Sequence, residues 1–167
     1  MHVLDIFYIN YVQYRLMKTY LEYDGLEVLA HRGGAEESLE NTLESFEYSQ
    51  SIGCNYIETD VQVSSDGVPY IFHDNDLKRI LNNPRRFDSY SSQEIDKLRI
   101  FKNHKIPKLS DALNDFPYLS FQIDFKSDDV VMPSLEVIKN TGSKDRVCVA
   151  SFNSKRLSRV RSNFPDL

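Results

Sequence analysis

Five short apolar runs alternate along the chain with stretches whose apolar residues fall three or four positions apart. The runs Glu27 to Ala30, Asn55 to Val63, Val68 to His73, Tyr118 to Phe125 and Arg146 to Ser151 are predicted strands. In Tyr118 to Phe125 apolar and polar residues alternate, which gives a strand two different faces. Between the runs, Ser38 to Ile52 carries helical spacing at Leu39, Leu43 and Phe46, with Gly53 as its stop. Further helices are predicted over Pro133 to Asn140 and Ser154 to Ser162. Ser64-Ser65-Asp66-Gly67 reads as a tight turn joining the second and third strands.

Strand and helix in alternation predict an α/β fold with a parallel sheet and right-handed crossovers. Residues 27–167 form the expected domain. Residues 76–116 interrupt its rhythm: they are polar and turn-rich at Asn82-Asn83-Pro84, with helix signals at Ser91 to Leu98 and after Lys108-Leu109-Ser110. We read them as an insertion after the third strand. Residues 1–26 read as an N-terminal helical extension, because Val3, Phe7, Tyr11 and Tyr14 share a helical face. Asp5, Asn10, Gln13, Arg15 and Lys18 break this segment well short of a membrane span. It lacks the basic n-region and cleavage site of a secretory signal. Membrane-surface contact stays open, without the basic face that favours it.

Composition narrows the class. A chain of 167 residues with net charge −5 is one domain in size and is not built for nucleic acid, whose partners are usually basic. The two cysteines, Cys54 and Cys148, lie far apart in apolar contexts, which predicts core thiols and a reducing, cytoplasmic setting.

The polar residues that stand out fall at the ends of predicted strands. Both a (β/α) barrel and a doubly wound sheet place their ligands there. Gly33-Gly34 does not complete a GxGxxG loop, and no Walker motif, GxSxG elbow, CxxC or HExxH occurs. His31 and His73 end the first and third runs. Between them Glu58 and Asp60 sit two residues apart on one strand face, about 6.6 Å along the strand. Two carboxylates at that spacing repel unless a cation or proton lies between them, and a hard divalent ion, Mg2+ or Ca2+, suits oxygen donors. The alternative is one solvated carboxylate and one paired with a lysine or arginine. Asp124 ends the fourth strand with Gln122 and Lys126 on its face. That group is suited to a metal and phosphate site, or to a plain salt bridge. Histidine's unperturbed pKa is about 6.5, so of two rings one can take a proton while the other gives one. Arg32 offers a planar donor fork for an anionic oxygen, or a bridge to Glu36 or Glu37.

These segments, in order, resemble the glycerophosphodiester phosphodiesterase family. The resemblance is carried by His31-Arg32-Gly33, Glu40-Asn41-Thr42 with Phe46, Glu58-Thr59-Asp60-Val61, Asp66-Gly67 and Ile71-Phe72-His73-Asp74. Leu77, Arg79, Ile106-Pro107-Lys108-Leu109 with Ala112-Leu113, and Ser151-Phe152 continue it. It implies a (β/α)8 TIM-type barrel with a small insertion after strand 3. The implied activity is metal-dependent hydrolysis of a glycerophosphodiester to sn-glycerol 3-phosphate and an alcohol. Carried over, His31 and His73 are the acid–base pair, Glu58, Asp60 and Asp124 the metal ligands, and Arg32 and Lys126 the phosphate contacts. Asp124 departs from the family's usual glutamate, being one methylene shorter. The chain also stops at Leu167 after about five strands, whereas a full barrel takes about 250 residues. A truncated barrel is therefore expected. A non-catalytic remnant and a lysophospholipase D-type enzyme are the rival readings.

Overall fold

The computed structural model describes Tyr20, residues 27–36 and residues 38–165. The expected helix over 1–26, and the membrane contact tied to it, lie outside the described residues apart from Tyr20. Strand β1 (Leu29–Ala30) runs into a turn at His31–Gly33, and helix α1 (Leu43–Ser51) follows. The helix begins later than its apolar spacing predicts. Asn41 is left-handed (φ 56°), which breaks the helix before Thr42. Thr42 then caps it in a reciprocal pair with Ser45, each side chain accepting the other's backbone N–H at 3.1 and 3.3 Å.

Strand β2 (Tyr56–Val63) is followed by the expected tight turn, where Gly67 takes φ 83°, and by β3 (Pro69–Ile71). Here the structure departs from the expectation of an all-parallel sheet. β3 pairs antiparallel with the far end of β2, Val61 opposite Ile71 and Val63 opposite Pro69. The five residues 64–68 suffice to close a hairpin, whereas a parallel return needs a crossover of a dozen residues or more.

Within the insertion come β4 (Asp76–Leu77), α2 (Lys78–Leu81), β5 (Asn83–Arg86) and α3 (Ser92–Ile95), with β4 and β5 forming a small antiparallel pair. They pack on Tyr70, Phe72, Leu77, Phe87, Tyr90, Ile95, Ile100 and Ile106, a core of their own. The last helix of the 76–116 stretch, α4 (Leu109–Asp115), instead buries Leu109, Ala112 and Leu113 in the main core.

The chain then repeats strand and helix: β6 (Ser120–Phe125), α5 (Val131–Asn140), β7 (Val147–Ala150) and α6 (Ser154–Asn163). The sheet order is β1-β2-β6-β7, all parallel, with β3 appended to β2. Alternation along β6 decides its two faces. Phe121, Ile123 and Phe125 join Ile57, Val61, Phe46, Leu135, Ile138 and Val160 under the helices. Gln122 and Asp124 turn to the other side, in register with Glu58 and Asp60 of β2. This is the arrangement of part of a (β/α)8 barrel: helices outside, a polar strand face inside. Arg146 braces the helix layer by donating to the carbonyls of Phe116 and Leu119 at 3.1 and 2.9 Å, and burial pushes its pKa down to about 10. Cys54 and Cys148 are both free and half-buried rather than core residues. No helix among the described residues is long and apolar enough to cross a membrane.

Candidate active site

At the C-terminal ends of the parallel strands lies a cavity of about 610 Å³. Its lining includes His31, Arg32, Glu58, Asp60, His73, Asp124 and Lys126, all seven residues singled out from the sequence, together with Leu29, Gln122 and Phe152. Strand register explains most of the convergence. Ala30 pairs with Ile57, so His31 stands one step on, level with Glu58. Asp60 pairs with Asp124, so those two carboxylates stand side by side on neighbouring strands.

His73 arrives by a different route. The β2–β3 hairpin folds the chain back, and the Phe72 N–H donates to the Asp60 carbonyl at 2.9 Å. Gln62, on the same face of β2 as Asp60, donates its amide to the carbonyls of His73 (3.3 Å) and Asp74 (3.1 Å). The histidine is thereby returned to the level of the carboxylates.

The turn that carries His31 and Arg32 is conformationally demanding. Arg32 adopts φ 52°, a region a non-glycine residue enters at a cost. Its backbone N–H donates to Glu58 Oε2 at 3.0 Å, which holds the turn against β2. Gly33 follows at φ 72°, and a Cβ there would stand 2.4 Å from Ser45 Oγ and 2.6 Å from Phe46. Only glycine lets the turn lie on α1.

Charges in the cavity are closely interlocked. The Lys126 ammonium bridges Asp60 Oδ1 and Asp124 Oδ2, at 2.7 Å each. Burial opposes its charge, but these two hydrogen bonds outweigh it and raise its pKa. Arg32 Nη1 meets Glu40 Oε2 at 3.2 Å and its buried Nε lies 3.4 Å from Asp60 Oδ2, so its bridges go to Glu40 and Asp60 rather than to Glu36. Asn41, 3% exposed, donates to Asp60 Oδ2 at 2.9 Å and accepts from Thr59 at 2.8 Å. Its part in orienting Asp60 was not read from the sequence, although it sits inside the quoted Glu40-Asn41-Thr42 motif. His31 Nε2 lies 3.9 Å from Glu58 Oε2 with its side chain 69% exposed. His73 Nδ1 meets Asp74 Oδ1 at 2.6 Å.

Glu58 is the carboxylate left short of positive charge. Its pKa is raised, first by burial and then by the charge of Asp60, which the Arg32 N–H, His31 and Lys126 offset in part. Three carboxylates share this face with one ammonium, and Arg32 is divided with Glu40. The donor chemistry therefore suits a hard divalent cation. As the side chains stand, no three His, Cys, Asp or Glu among the described residues are grouped to hold one. The Lys126 ammonium lies between two of the three expected ligands and takes up their charge.

Comparison with known proteins agrees with this geometry. The profile of the glycerophosphoryl diester phosphodiesterase family matches residues 31–166. The chain is 30% identical over 142 residues to the probable glycerophosphodiester phosphodiesterase 2 of Mycobacterium tuberculosis, covering 84% of this chain and 54% of that protein. It is 31% identical over 155 residues to the glycerophosphodiester phosphodiesterase of Caldanaerobacter subterraneus, covering 84% and 63%. The chain thus spans a little over half the length of these relatives. Among solved structures, an Oleispira antarctica phosphodiesterase in complex with the product sn-glycerol-3-phosphate superposes with a TM-score of 0.77 at 27% identity, over 84% of this chain and 63% of that one. Strand order, cavity residues and sequence relatives converge, and the chain belongs to the glycerophosphoryl diester phosphodiesterase family.

Proposed function

We propose that this chain carries the catalytic half of a metal-dependent glycerophosphodiester phosphodiesterase, releasing sn-glycerol 3-phosphate and an alcohol. The observation that supports it best is the meeting of two imidazoles, three carboxylates, a guanidinium and an ammonium in one cavity. Glu58, Asp60 and Asp124 would hold a divalent cation, Mg2+ or Ca2+. When bound, that ion neutralises charge on a phosphate oxygen. Arg32 and Lys126 supply further positive charge to the phosphate. One histidine takes the proton of the attacking oxygen as that oxygen bonds to phosphorus: water gives sn-glycerol 3-phosphate directly, whereas the glycerol 2-hydroxyl gives a cyclic phosphate that a water then opens with the two histidines exchanging roles. The bond from phosphorus to the leaving oxygen breaks, and the other histidine gives that oxygen a proton. Positioned acid–base groups of this kind contribute about 10²–10⁴-fold each.

The test is release of sn-glycerol 3-phosphate from glycerophosphocholine, followed enzymatically with Mg2+, with Ca2+ and with a chelator. Turnover that needs the ion, and that falls at least a hundredfold in His31→Ala and in His73→Ala with circular dichroism unchanged, supports the reading. Near-normal turnover in either variant, or in chelator, overturns it.

A further inference from the structure

Three residues that do not line the cavity, Glu40, Asp74 and Arg79, form a chain of ion pairs running from His73 to Arg32. Asp74 Oδ1 meets His73 Nδ1 at 2.6 Å, and Asp74 Oδ2 accepts from Arg79 Nε at 2.7 Å. Arg79 then grips Glu40 with both terminal nitrogens, Nη1 to Oε2 at 3.1 Å and Nη2 to Oε1. Glu40 Oε2 also accepts from Arg32 Nη1 at 3.2 Å. The residues come from three separate segments: the loop before α1, the return from β3, and α2 of the insertion. Every carboxylate oxygen of Asp74 and Glu40 is used.

We propose that Asp74, Arg79 and Glu40 form a positioning relay that fixes the tautomer of His73. An ionised carboxylate can only accept, so the short contact requires the Nδ1 proton to lie on the imidazole. Nε2 is then the nitrogen left to exchange a proton with substrate. Arg79 keeps Asp74 ionised and aimed: burial works against the Asp74 charge, but the hydrogen bonds from Arg79 and His73 win and lower its pKa. Glu40 clamps the far side of Arg79 by a two-pronged contact, the geometry in which a guanidinium is most directional. The same logic operates where a buried aspartate sets the tautomer of a catalytic histidine. The competing account is an ordinary surface ion pair, because Arg79 is 47% exposed and such pairs contribute little to stability.

The inference rests on the proposed catalytic role of His73 for its meaning, but its test does not need turnover. Histidine-ring ¹⁵N spectra are recorded on uniformly labelled protein above the imidazole pKa, with the His73 signals identified from a His73→Gln sample. The expected wild-type pattern is a protonated Nδ1 and a bare Nε2. Asp74→Asn and Arg79→Met should move His73 toward the opposite tautomer, Arg79→Lys should restore it in part, and His31 should be unaffected. If the intact enzyme turns over, kcat falls about 10–100-fold in Arg79→Met with little change in KM. A wild-type His73 protonated on Nε2, or variants with the wild-type tautomer, overturns the relay. Loss of turnover in wild type with the tautomer pattern intact would count against the proposed function and leave the relay standing.

Discussion

Lys126 is the residue on which the electrostatics of the cavity turn. Its ammonium offsets the Asp60 and Asp124 carboxylates at 2.7 Å each, so it competes with any divalent ion for the same oxygens. Lys126→Met should therefore tighten Mg2+ or Ca2+ binding by about tenfold in calorimetry, the scale of one removed ~1.4 kcal/mol competitor, while lowering hydrolysis. Asp66 carries a different prediction. Hydrogen bonds from the Ser92 side chain, from Ser64 and from the Ser92 backbone hold its pKa at about 2, down from 3.8. A depressed carboxylate stabilises the fold above its unfolded pKa and loses that effect as pH falls. Stability in denaturant titrations should thus drop between about pH 4 and pH 2, and the drop should shrink in Asp66→Asn. Residue identities in the cavity were legible in advance because strand period two puts Glu58 with Asp60 and Gln122 with Asp124. Asn41, Arg79 and Glu40 were not assigned roles, because the contacts of Asn41 with Asp60 and of Arg79 with Glu40 join separate segments and no local spacing reports such a hydrogen bond.

At the level of elements, the β2–β3 hairpin and the insertion work as one unit. Tyr70 and Phe72 leave the hairpin to pack on Phe87, with ring centroids 6.2 and 4.9 Å away. Asp66 of the hairpin turn accepts from the backbone and side chain of Ser92 at the start of α3, at 2.7 and 2.6 Å. Phe87→Ala should cost about 3–5 kcal/mol, the range for emptying a buried aromatic site. Hydrogen exchange should then quicken in residues 76–107 more than in β2 and β6. His73 and Arg79 are supported by this unit, so its loosening should also degrade the cavity. The hairpin escaped the sequence reading because the Val68 to His73 run looks the same whether it pairs parallel or antiparallel. The Asp66-Gly67 turn is the local signal that could have told them apart.

Over the whole molecule, a bound cation would tie β2 to β6 through Glu58, Asp60 and Asp124. A ligand at a hundred times its Kd adds about 2.7 kcal/mol of stability, which for a chain of this size raises Tm by about 5–11 °C. Differential scanning fluorimetry with and without Mg2+ or Ca2+ reads this directly. Glu58→Gln should remove most of the ion-dependent rise. It should also raise Tm by a few degrees in chelator, because it relieves a buried carboxylate from repulsion by Asp60.

The polar and apolar periods along the chain determined by themselves that strands and helices alternate and that Glu58 with Asp60, and Gln122 with Asp124, share a strand face. Those are local properties, set by the two-residue repeat of a strand and the 3.6-residue repeat of a helix. Tertiary structure alone decided that Lys126 lies between two carboxylates and that Arg79 reaches across to Glu40. Both contacts join segments more than 30 residues apart, Lys126 with Asp60 and Arg79 with Glu40. Such meetings are fixed by the packing of the whole core and leave no periodic trace in any one stretch of the chain.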